Sequence, residues 1–132
     1  MFAKLHRKKF VSDRTPLSDT EFLSRLGVRR ELHRFIAAAR EALARVCHVP
    51  ASTLYPDDKP TSLLRLLTWD WDDLGVILEL EALLGIQIEG EIPRFLMSRC
   101  FWRGEPGPPT IGEWCIRVAE HLQSRYSENH VG

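Results

Sequence analysis

Apolar residues return along this chain at helical spacing, in blocks separated by glycine and proline. Leu32, Phe35, Ile36, Ala39, Leu43 and Val46 recur every three or four positions, which predicts a long helix with one stripe turned to a core. Arg34, Arg40, Glu41 and Arg45 fall off that stripe and are expected in solvent. Val49-Pro50 closes the helix, because a residue before proline avoids the helical region. A second block, from Asp70 to Leu84, carries Leu74, Ile77, Leu78, Leu80, Leu83 and Leu84, a face wide enough for two neighbours. Asp70, Asp72 and Asp73 crowd its first turn, where unpaired amides and the helix dipole favour carboxylates, and Gly85 is the expected stop.

Shorter elements flank these two. Ser18-Asp19-Thr20-Glu21 spells a capping box, opening a short helix through Phe22, Leu23 and Leu26 that ends at Gly27. Thr110-Ile111-Gly112-Glu113 spells another, ahead of a final helix whose buried stripe is Ile111, Trp114, Cys115, Val118 and Leu122. The stretch 50–68, with Pro50, Pro56 and Pro60, reads as a long connection holding one or two helical turns near 61–67. Phe95-Leu96-Met97 marks a further short helix after Ile92-Pro93, and Arg103 to Pro109 a stiff loop. Residues 1–16 read as a flexible basic arm, 17–125 as one helical domain and 126–132 as a frayed tail. No segment alternates with the period of a strand, so the fold class is all-α.

Composition narrows the function. A chain of 132 residues buries roughly two-thirds of its unfolded surface in one core and needs no staple. Three widely spaced cysteines, Cys47, Cys100 and Cys115, read as free thiols of a reducing, cytoplasmic compartment. The basic start is not followed by an apolar run, so neither export nor membrane insertion is expected. Net charge is zero, yet residues 1–50 carry 11 Lys/Arg against 5 Asp/Glu. That bias offers an anionic surface or nucleic acid as partner; without interleaved aromatics or a nucleic-acid motif, nucleic acid is not favoured. Walker, G-x-S-x-G and dinucleotide patterns are absent, and the histidines show no metal-ligand spacing. Cys47-His48 is not read as a catalytic pair, since neighbours on a helix diverge by about 100°.

The central block carries a resemblance. Trp69-Asp70-Trp71-Asp72-Asp73-Leu74, closing with Leu80-Glu81-Ala82-Leu83-Leu84-Gly85-Ile86-Gln87-Ile88, resembles the acyl carrier protein signature. That signature reads Asp-Ser-Leu-Asp and then a helix ending Leu-Glu-x-x-Phe-Gly-Ile-x-Ile. Val49-Pro50-Ala51-Ser52-Thr53-Leu54-Tyr55-Pro56-Asp57-Asp58 is similar to the family's first turn after its opening helix. Thr110-Ile111-Gly112-Glu113-Trp114 is similar to the Thr-Val-Gly-Asp-Leu that begins its last helix. The resemblance covers about residues 31–124 and implies a carrier-type four-helix bundle, here with an extra short N-terminal helix.

By this register the phosphopantetheine-bearing serine of the family falls on Asp70. A carboxylate keeps the helix-capping oxygen but cannot form the phosphodiester, so no cofactor is expected. The resemblance then implies a non-enzymatic protein-interaction module, a monomer or weak dimer, docking a protein partner through Trp71, Leu74, Leu78, Glu79 and Glu81. Gly75 and Ala82 stand where the family is usually acidic, which argues against the ordinary fatty-acid enzymes as partners. One alternative is a genuine acyl or peptidyl carrier bearing 4'-phosphopantetheine on Ser62; another is anionic-surface or nucleic-acid binding through the basic N-terminal region.

Overall fold

The computed structural model describes residues 2–63, 66, 75–88 and 110–126. Those residues are mostly helical: α1 (Phe2–Ser12), α2 (Asp19–Leu26), α3 (His33–Cys47), α4 (Pro60–Leu63), α5 (Gly75–Leu84) and α6 (Ile111–Tyr126). Short 3-10 turns at Arg30–Leu32 and Ala51–Thr53 bracket α3. No strand occurs among the described residues, and no helix among them is long and apolar enough to cross a membrane.

The hydroxyl half of each capping box forms, while the Glu21 carboxylate meets Arg25 Nε at 3.5 Å instead of reaching back. The Ser18 hydroxyl accepts from the Glu21 amide at 3.1 Å, and Gly27 ends α2 in the left-handed conformation. Thr110 Oγ1 accepts from the Glu113 amide at 3.2 Å at the start of α6. The start of the second block, from Asp70, and the helix and loop expected between 92 and 109 lie outside the described residues.

Helix α3 is the hub. Both α5 and α6 pack along it, and α2 rests on it. Its stripe residues Leu32, Phe35, Ile36, Ala39 and Leu43 are buried as expected, but so are Ala38, Ala42 and Ala44. The alanines explain this: small side chains let backbones approach on several sides, so α3 is enclosed around most of its girth rather than along one stripe. Trp114, Cys115, Val118 and Leu122 of α6 complete the same core with Val76 and Leu80 of α5.

Two expectations are corrected. The N-terminal segment read as an arm is helical over Phe2–Ser12, with Phe10 and Val11 packed against the core. It is fastened by Arg14, whose guanidinium lies between the Phe10 and Tyr55 rings, 4.0 and 4.6 Å from their centroids. Arg14 also grips the buried Asp58 carboxylate through two bonds, Nη1 to Oδ2 at 2.6 Å and Nη2 to Oδ1 at 2.8 Å. Local pattern offers the arm no partner within the chain, because Asp58 lies 44 positions away.

Arg40, expected in solvent, is only 1% exposed. Its Nε and Nη2 donate to the Leu54 carbonyl at 3.2 and 2.8 Å, Nη2 donates to the Leu17 carbonyl at 2.8 Å, and Nη1 meets Asp19 Oδ1 at 2.9 Å. The guanidinium also covers the Phe22 ring at 4.3 Å. A buried charge survives because each nitrogen of the planar fork finds an oxygen.

Candidate interaction surface

The surface begins with the polarity of α5. Val76, Ile77 and Leu80 are buried against the core, and Leu83 and Leu84 are partly buried. Leu78 is turned the other way and is 56% exposed, with Ala82 one turn further on the same exposed side. An α-helix with an apolar residue on both sides leaves one side that the described residues do not cover.

The two acidic residues of this helix are engaged within the chain. Glu79 Oε2 accepts from Arg45 Nη1 at 3.2 Å, tying α5 to α3 at the surface. Arg45 also meets Glu41 at 3.3 Å, and the bonds to Glu79 and Glu41 raise its already high pKa. Glu81 reaches past the helix end: its Oε2 accepts from the Ile88 amide at 2.8 Å. Gly85, at φ 65°, turns the chain, and its amide and that of Ile86 both donate to the Glu81 carbonyl. Leu-Glu-x-x-x-Gly-Ile-x-Ile is thus a closing turn held by Glu81 at both its carbonyl and its carboxylate, with Ile86 and Ile88 packed on the core.

Of the residues singled out by sequence, Leu78, Glu79 and Glu81 therefore share one helix and its end. Asp70, Trp71 and Leu74 lie outside the described residues. Ser62 is exposed in α4, its Oγ donating to the Lys59 carbonyl at 2.7 Å. With His6, Lys9, Phe10, Asp13 and Leu66 it lines an open groove of about 210 Å³ between α1 and α4.

Cys47 and His48 do not form a nucleophile–base pair. Cys47 is buried while His48 is exposed in the left-handed conformation at φ 59°, so the two side chains part. Burial pushes the Cys47 thiol up to about 12, against a smaller opposing pull from Arg7, and does the same to Cys115, where Arg40 opposes it. Neither supplies a thiolate near neutral pH. Among the described residues no three His, Cys, Asp or Glu side chains gather to hold a metal ion.

A second polar centre, which the sequence reading missed, sits where the 53–58 segment meets the rest of the chain and includes Arg40. Tyr55 N–H donates to Asp58 Oδ2 at 2.8 Å, and Tyr55 Oη donates to the Thr15 carbonyl at 2.5 Å. The carbonyls of Asp58 and Pro56 accept from the Ile111 and Gly112 amides at 2.7 and 2.8 Å. These bonds satisfy the opening amides of α6 and fix its start. Only Arg40 left a sequence trace, since it sits four residues after Ile36 and three before Leu43, on the arc those residues bury.

No family model, no curated protein and no solved structure matches this chain.

Proposed function

We propose that this protein is a carrier-protein-like interaction module that bears no prosthetic group and docks a protein partner through the exposed side of α5. The observation that carries the proposal is Leu78, a large apolar side chain left 56% exposed on a helix whose Val76, Ile77 and Leu80 are buried. Covering such a residue gains up to about 2 kcal/mol of hydrophobic free energy, enough to anchor a small interface. Support for the carrier-like type comes from the order of α3, the long connection, α5 and α6. It comes also from the Glu81–Gly85–Ile88 turn, formed by the residues that carry the resemblance. With Asp70 in the register of the attachment serine, the module works by contact and transfers no acyl group.

Two measurements test this. Intact mass after incubation with coenzyme A and a broad-specificity phosphopantetheinyl transferase should be unchanged; a phosphopantetheine adduct, on Ser62 or elsewhere, overturns the proposal. Partner recovery on the wild-type chain should fall about tenfold or more with Leu78→Arg, which places a charge in an apolar contact. It should persist with Leu5→Arg, a substitution at the other large exposed apolar side chain. Equal recovery with Leu78→Arg removes the docking surface.

A further inference from the structure

The outward side of α1 presents Leu5, Lys8, Lys9 and Ser12 at positions i, i+3, i+4 and i+7, with Lys4 beside them, all exposed. Leu5 is the most exposed large apolar residue described, at 62%. The helix contains no acidic residue, and no carboxylate among the described residues pairs with Lys4, Lys8 or Lys9. The inward side is held: Phe10 and Val11 pack on the core, and Arg14 locks the end of the segment to Asp58. A basic face with an apolar centre is therefore presented on a fastened support.

The distribution of the two basic residue types says what this face fits. The chain has only four lysines, and three of them stand on this one face. Arginine is used where particular oxygens are gripped, as at Arg14, Arg40 and Arg45. Lysine is a mobile point charge that suits a diffuse field of negative charge rather than a fixed carboxylate geometry. Leu5 narrows the choice: a nucleic-acid backbone offers nothing to a leucine in the middle of its lysines, whereas a lipid interface takes the leucine beneath its headgroups.

We propose that α1 docks this protein onto an anionic lipid surface, lying on it through Lys4, Lys8 and Lys9 with Leu5 inserted. The face is remote in sequence from α5, and the proposal stands independently of the Leu78 reading. Its test is co-sedimentation of the full chain with vesicles of phosphatidylcholine alone and of phosphatidylcholine containing about 30% phosphatidylserine. The chain should sediment with the anionic vesicles, stay in solution with the neutral ones, and be released as salt is raised from about 50 to about 300 mM. Lys8→Glu with Lys9→Glu should weaken binding about tenfold or more. Leu5→Ser should weaken it severalfold at unchanged helix content by circular dichroism. Equal sedimentation with both vesicle types, sedimentation with neither, or undiminished binding by both variants overturns the proposal. So does preference for a single-stranded oligonucleotide over the anionic vesicles.

Discussion

Arg40 shows what one side chain decides here. It is a charge with 1% of its surface exposed, sustained by the Leu54 and Leu17 carbonyls and by Asp19. Arg40→Met keeps most of the aliphatic volume but leaves two carbonyls without their donor, and should cost about 3 kcal/mol in urea unfolding. Arg40→Lys should recover less than half of that, since an ammonium cannot serve three oxygens from one plane. The sequence placed Arg40 in solvent because its polarity outweighed its position. The residues that bury it, Leu17, Phe22 and Leu54, belong to segments that periodicity within α3 does not reach. By contrast, Ser18, Gly27, Gly85 and Thr110 were legible, because a cap or a left-handed turn is decided by residues within one helical turn.

At the level of elements, α3, the described part of α5 and α6 were readable because each has a repeating apolar stripe. What the stripe conceals is how many sides are covered: the alanines of α3 carry little hydrophobic signal yet admit α5 and α6 together. The start of α6 shows a related demand. A Cβ added at Gly112 would lie 2.7 Å from Leu26 Cδ2 and 2.8 Å from the Pro56 carbonyl oxygen, which also accepts from the Gly112 amide. The leucine can swing aside but the carbonyl cannot move without losing that bond. Gly112→Ala should therefore destabilise by about 1–3 kcal/mol, seen as a lower urea midpoint, despite its better helix propensity. On the candidate surface, Leu78 was legible as part of an apolar face too wide for one neighbour and as a docking position implied by the resemblance. The engagement of Glu79 by Arg45 depends on two helices meeting, and no local pattern announces it.

Over the whole molecule, Cys47 and Cys115 tie stability to alkaline pH. Each thiol is raised from 9.0 to about 12 by burial, so the folded chain keeps protons that the unfolded chain releases. Their contribution is complete below pH about 9 and is lost progressively as pH climbs toward about 12. The urea midpoint should fall between about pH 8.5 and 10.5, with a slope of about 1 kcal/mol per pH unit per thiol near pH 10. Replacing both cysteines by alanine should flatten that slope while lowering stability at neutral pH; an unchanged slope counts against these thiols as its source. The segment 53–58 acts on the same scale. Arg14 holds it from the N-terminal side, Arg40 from α3, and the Ile111 and Gly112 amides from α6. Lesions at positions 14, 40 and 112, scattered along the gene, thus converge on one short stretch of backbone. Once any one of them has loosened it, the others have less left to damage, and such mutations are epistatic rather than additive.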